Sequence, residues 1–87
     1  MKYYLYILKS KTSDKYYTGI SEDVERRLEF HNTREKGFTS RYRPWKVVFK
    51  KEFENKAEAI RAERNVKRWK SKVMIEKLIK QEIEIPE

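Results

Sequence analysis

The chain has 87 residues and carries 22 basic against 14 acidic side chains, a formal net charge of +8. That length buries one modest core, so a single domain over 1–87 is expected, with its core over about 3–79 and an acidic tail at 81–87. No cysteine is present, which excludes a disulfide framework and a thiolate zinc site, and no apolar stretch approaches the ~18 residues of a membrane span.

Residues 2–10 are apolar on both alternations, with Tyr3, Leu5 and Ile7 on one side and Tyr4, Tyr6 and Leu8 on the other. Such a run reads as a strand covered on both faces, and it is too short for a signal peptide. A cytoplasmic protein without membrane attachment is the expectation. Lys11-Thr12-Ser13-Asp14 is a turn, and residues 15–20 make a second strand, forming an antiparallel hairpin. A turn centred on Lys11-Thr12 sets Tyr6 opposite Tyr17. Ser21 is a good N-cap for a helix running to about Asn32, with Glu22, Asp23 and Glu25 in its first turn. Residues 33–44 are polar and read as a loop, long enough to be a functional one. A third strand follows over 46–53. Asn55 caps a second helix over 56–69, and Ser71 caps a third bearing Val73, Met74, Ile75, Leu78 and Ile79. The order β-β-α-β-α-α predicts an α+β fold: a small three-stranded antiparallel sheet flanked by helices.

The charge points to nucleic acid, where Lys and Arg displace condensed counterions; an acidic protein or a membrane surface is the second option. Five basic residues and one acid lie between Asn32 and Lys46, and eight basic residues and two acids between Arg61 and Lys80. The candidate phosphate contacts are Lys36, Arg41 and Arg43 in the first segment and Lys67, Lys70 and Lys72 in the second.

Polar side chains also interrupt apolar helix faces. On the first helix, Val24 and Leu28 define the buried stripe; His31 points into it, Arg27 sits at its edge and Arg26 faces away. His31 is either a helix-end histidine packed under the sheet or a site residue, and Arg27 either a rim arginine covering apolar surface or a functional cation. Glu63 falls inside the apolar arc of Ala59, Ile60, Ala62 and Val66. Lys67, one turn on, offers an ion pair; the alternative is a carboxylate ligand for a hard divalent cation, and a single carboxylate completed by water and phosphate suits Mg2+. Tyr3, Tyr4, Tyr6, Tyr16 and Tyr17 crowd one hairpin, serving the core or presenting phenols to water and phosphate. Trp45 and Trp69 read chiefly as packing residues.

Tyr4-Leu5-Tyr6-Ile7-Leu8, then Lys15-Tyr16-Tyr17-Thr18-Gly19-Ile20-Ser21, then Glu25-Arg26-Arg27-Leu28-Glu29-Phe30-His31-Asn32 resemble the signature of the GIY-YIG endonucleases, and the Glu58–Lys67 segment is similar to the helix that carries the family's metal-binding glutamate. Small stand-alone bacterial members are the best match. The resemblance implies hydrolysis of DNA phosphodiester bonds in repair or processing, with Tyr6, Tyr17, Arg27, His31 and Glu63 in the site. It implies Glu63 on one divalent cation, Mg2+ or Mn2+. Tyr6 would activate the attacking water, Tyr17 would bond water or phosphate, and Arg27 would clamp the phosphate. Gly19 would let the chain turn tightly out of the second strand. A nuclease-like domain that binds nucleic acid without turnover is the alternative. DNA is expected to be recognised by structure rather than sequence, by a monomer, with a partner protein as a source of specificity.

Overall fold

A computed structural model describes residues 2–86. Three strands are present: β1 (Tyr3–Ser10), β2 (Tyr16–Ser21) and β3 (Trp45–Phe53). They form one antiparallel sheet in the order β2-β1-β3. The doubly apolar first strand is therefore central: Leu5, Tyr6, Ile7 and Leu8 are all buried. Helices α1 (Val24–Thr33), α3 (Lys56–Arg68) and α4 (Lys72–Ile79) follow the expected order. The segment expected as loop holds an additional single turn, α2 (Phe38–Arg41). Among the described residues no helix is long and apolar enough to cross a membrane.

The hairpin register differs from the expectation. Tyr6 pairs with Gly19, and Tyr17 with Leu8. The shift is two residues, because the loop consists of 11–14 and Ser10 N–H bonds the Lys15 carbonyl at 3.0 Å. A shift of two leaves every side chain on its face, so Tyr6 and Tyr17 remain on the same side, diagonal rather than opposite. Their ring centroids are 6.4 Å apart.

The pairing of β1 with β3 contains a bulge. Ile7 pairs with Phe49 but Leu8 pairs with Val47, leaving Val48 as the extra residue. An extra residue reverses which alternate side chains face each side of the sheet. Beyond it, Val47 and Trp45 face the same side as Leu8 and Ser10, and Trp45 is buried with Tyr6, Leu8 and Val24.

Each face has its own core. One contains Leu5, Ile7, Ala62, Val66 and Leu78, covered by α3 and α4. The other contains Tyr6, Leu8, Val24 and Trp45, covered by α1, with Tyr42 packed against it. The second core is rich in polar-tipped aromatics, and this is the face of the site.

The N-cap of α1 is Asp23, not Ser21. Ser21 is the last residue of β2, paired with Tyr4, while the Asp23 carboxylate accepts from Arg26 N–H at 3.1 Å. Strand pairing continues further than the propensities of Ser21-Glu22 suggest. Asn55 and Ser71 cap α3 and α4 as expected, accepting from Glu58 and Met74 N–H groups. Ser10 is buried, and its hydroxyl donates to the Tyr42 carbonyl at 2.7 Å while accepting from Thr12 and Ser13 N–H groups, tying the hairpin loop to the 33–44 segment.

The tail is not free of the core: Ile83 and Ile85 pack partly buried against the Leu5–Leu78 cluster, and Asn65 donates to the Pro86 carbonyl at 2.9 Å. Replacing both isoleucines by alanine is expected to lower stability by ~1–3 kcal/mol, since each half-buried side chain loses part of its transfer free energy. Urea unfolding monitored by tryptophan fluorescence measures this; an unchanged midpoint would mean the tail contributes nothing.

Candidate active site

Tyr6 stands at the centre of the sheet and is 1% exposed. A buried phenol needs a hydrogen-bond partner, and α1 supplies one. His31, also 1% exposed, lies with Nε2 3.0 Å from the Tyr6 hydroxyl. Its Nδ1 is 3.1 Å from Oγ1 of Thr39, itself buried in α2. Trp45 Nε1–H donates to the Thr39 carbonyl at 2.7 Å. A singly protonated imidazole serves both contacts: with Tyr6 donating to Nε2, Nδ1–H donates to Thr39, and the other tautomer reverses both.

Gly19 is required by this arrangement for a reason other than a turn. It lies within β2, and no described glycine has positive φ. A Cβ on Gly19 would sit 2.6 Å from the Tyr6 hydroxyl oxygen and 2.8 Å from its Cζ. The missing side chain is what lets the Tyr6 ring lie across the neighbouring strand.

The remaining expected residues converge here. Tyr17 is half-buried, its ring centroid 4.7 Å from that of His31. Arg27 is half-buried, its guanidinium stacked 4.6 Å from the centre of the Phe30 ring. Arg26, on the far side of the helix, is exposed. From the other direction, α3 packs along the edge strand β2 and brings Glu63 and Lys67. Lys67 Nζ is 3.2 Å from Glu63 Oε2 and 6.0 Å from the centre of the Tyr17 ring. This pair is partly exposed, so its contribution to stability is small, about 0–1 kcal/mol.

Electrostatics separate the groups. Burial pushes the Tyr6 phenol above its ordinary pKa, Arg27 pulls it back down, and the nearby Tyr17 and Glu63 push it up. Burial lowers the His31 pKa, aided by Arg27 and Arg43 and opposed by Glu35. His31 is thus held neutral at pH 7, with burial opposing its protonation.

Among the described residues, no group of three or more His, Asp or Glu side chains gathers to cage a cation. Glu63 is a single carboxylate with a side chain 23% exposed. That donor set suits a cation that keeps most of its ligands as water and phosphate oxygens.

The basic residues divide. Lys36 and Arg41 are exposed on the segment that carries Thr39. Lys70 is exposed beyond α3, and Lys72 is paired with Asp14 at 2.6 Å. Arg43 is turned inward: its Nε donates to the His31 carbonyl at 2.7 Å and its Nη2 to the Glu35 carbonyl, so its fork closes the 33–44 segment onto the end of α1. Asn32 does similar work, its side chain accepting from Trp45 N–H at 2.7 Å and donating to the Trp45 carbonyl at 3.2 Å. Thr39 and Asn32 did not stand out individually in the sequence. A threonine in a polar stretch carries no local signal of a buried contact; the length of that stretch was the only hint.

Two phenols, an imidazole and a guanidinium on the β1-β2-α1 unit thus lie near a single carboxylate brought in by α3. Residues 2–78 match the family described as the GIY-YIG catalytic domain, and the chain belongs to that family. Within it, the chain is similar to a UPF0213 protein of Staphylococcus saprophyticus, 36% identical over 67 residues, covering 76% of this chain and 80% of that one. It is 39% identical over 70 residues to a UPF0213 protein of Cupriavidus necator, covering 79% and 75% of the two chains. The solution NMR structure of the UPF0213 protein BH0048 from Bacillus halodurans is similar in fold, with TM-score 0.59, 35% identity, and coverage of 93% of this chain and 85% of that one.

Gly19→Ala is expected to destabilise the fold by ~1–3 kcal/mol through overpacking, and adding Tyr6→Phe is expected not to restore it, because Cζ stays 2.8 Å from the new methyl and His31 loses its partner. Urea titration of the single and double variants checks both. The depressed His31 pKa makes the folded chain resist protonation while the unfolded chain takes up a proton near 6.5. The resulting stability is present above that pH and declines as pH falls below it, toward the lower folded value. Melting temperatures at about pH 7.5 and 5.5 should therefore differ more in the parent than in His31→Gln; parallel changes would remove His31 as the cause.

Proposed function

We propose that the chain is a divalent-metal-dependent endonuclease acting on DNA phosphodiester bonds. The observation that carries this reading is the convergence of half-exposed Tyr17, Arg27 and Glu63 on the buried Tyr6–His31 pair.

Tyr17 is the phenol that reaches the surface beside His31, and its hydroxyl would orient the attacking water or hold a phosphate oxygen. Tyr6, expected from the sequence to activate the water, is buried with its hydroxyl against His31. Tyr6 and His31 would share a proton across their contact beside the reacting centre, in either tautomer of the imidazole. Arg27 would clamp the phosphate as charge develops on it, its position set by stacking on Phe30. Glu63 would hold the cation, Mg2+ or Mn2+, which supplies Lewis-acid stabilisation of the leaving oxygen. Lys36 and Arg41 on one side and Lys67 and Lys70 on the other would bind flanking phosphates. Such contacts position DNA without reading its sequence, so recognition by DNA structure, in cytoplasmic repair or processing, fits this surface. The chain would act as a monomer, with a partner protein as a further source of specificity.

A nucleic-acid-binding module without turnover is the second reading. It is favoured by the ion pair that Lys67 makes with Glu63, since a paired carboxylate already has a partner.

Labelled single-stranded, duplex, flap, fork and nicked DNAs incubated with Mg2+ or Mn2+ discriminate between the two. Cleavage is expected, and Arg27→Ala, Tyr17→Phe and Glu63→Ala should each lower it by about 100-fold or more, comparable to loss of a preorganised transition-state contact. Binding should survive in Glu63→Ala and weaken steeply with salt. Salt-sensitive binding by a folded parent that cleaves none of these DNAs would support the second reading instead.

A further inference from the structure

Phe38 begins α2 and is 47% exposed. It is not an isolated surface hydrophobe. Its ring lies 5.0 Å from that of Tyr42 and 6.1 Å from that of Trp45, and Trp45 is buried and bonded to the Thr39 carbonyl. Phe38 is thus the open end of a cluster of tilted and edge-on aromatic rings whose inner end is anchored in the core beneath the active site. The residue next to it, Thr39, bonds His31. Lys36 and Arg41 flank it in sequence, both exposed, and among the described residues neither makes an ion pair. Lys15 lies across the neighbouring Tyr42 ring at 5.8 Å.

We propose that Phe38 is a stacking site for an unpaired nucleobase of the DNA substrate, with Lys36 and Arg41 holding the phosphates on either side of it; this rests on the nuclease reading above and specifies its substrate. A fixed, half-exposed ring bordered by cations has the chemistry that receives a base, because every base offers a π-face and every nucleotide an anionic phosphate. Within an intact duplex those faces are covered by neighbouring bases. A half-exposed ring therefore gains a partner only where stacking is interrupted, as at a gap, a bulge or a flap junction. The short covalent and hydrogen-bonded path from Phe38 through Thr39 to His31 sets that base at a defined offset from the tyrosines, so an unpaired base would select the position of cleavage. The other exposed large hydrophobe among the described residues, Val73 on α4, has neither an aromatic cluster nor this connection to the site.

The test uses full-length Glu63→Gln protein without metal, so that cleavage does not interfere, and two DNAs: a perfect duplex and the same duplex with one unpaired 2-aminopurine. Binding is expected to quench the 2-aminopurine emission and to favour the second DNA. Adding Phe38→Leu, which keeps an apolar side chain but removes the π-face, should abolish the quenching. It should also weaken binding to the unpaired-base DNA by about fivefold or more, while duplex affinity stays within about twofold. Phe38→Trp should retain both signals. A melting temperature unchanged by Phe38→Leu verifies folding. Unchanged affinity and quenching in a folded Phe38→Leu protein would overturn the stacking site and leave the nuclease reading standing. Equal loss on both DNAs would overturn it as well, since the contact would then not involve an unpaired base. A change in oligomeric state on substitution, read by size-exclusion chromatography with light scattering, would reassign the face to self-association. Failure of the parent to bind either DNA would overturn both the stacking site and the nuclease reading.

Discussion

A phenol buried at the middle of the sheet must be given a hydrogen bond, and much of the architecture around the site meets that requirement. Tyr6 cannot find a partner within the sheet, whose backbone groups are occupied by pairing on both sides. His31 reaches it from α1, and His31 in turn needs a partner for its second nitrogen, which Thr39 provides. Leaving any member unpaired would cost about 1–3 kcal/mol, a large share of the stability of so small a domain. The chain of contacts explains why α1, the 33–44 segment and β3 are locked together by Arg43, Asn32 and the Trp45 indole rather than by apolar packing alone.

The same requirement bears on chemistry. The interactions that satisfy Tyr6 also bring a neutral imidazole beside a second, more open phenol. Burial moves the two buried groups in opposite directions, the phenol up and the imidazole down, so both favour their neutral forms. Charged groups, by contrast, remain at the border of the cluster. Arg27 and Glu63 are only half-buried and approach from different elements, α1 and α3. A neutral, rigid interior with ionised groups around its mouth is an arrangement in which a phosphate, and a cation accompanying it, need not displace buried charge.

Two backbone features make this geometry attainable. The absence of a side chain at Gly19 permits the Tyr6 ring to cross β2, and the bulge at Val48 rotates Trp45 onto the face of the site. The two act on opposite neighbours of the central strand. One gives the phenol room; the other brings in the indole that supports Thr39 and, beyond it, the aromatic cluster ending at Phe38.

Much of the fold was legible in the sequence. A first strand apolar on both alternations had to be central, and Val24, Leu28 and the Ala59–Val66 stripe had to face the sheet, because periodicity decides which side chains leave water. The helical wheel also distinguished Arg27 from Arg26 and directed His31 inward, and the polar intruders His31 and Glu63 did come to lie together with the tyrosines. The register of the hairpin, the cap at Asp23, the helical turn at Phe38 and the packing of Ile83 and Ile85 were not legible; each depends on contacts with residues distant in the chain. The inward turn of Arg43 belongs with them, since nothing in its sequence neighbours distinguishes a guanidinium that binds carbonyls from one that faces phosphate. Composition and periodicity thus determined the elements, their apolar faces and the chemical types available to the site. Only tertiary structure decided which hydroxyl is buried and which is open, because burial and hydrogen-bond pairing arise where separate segments meet.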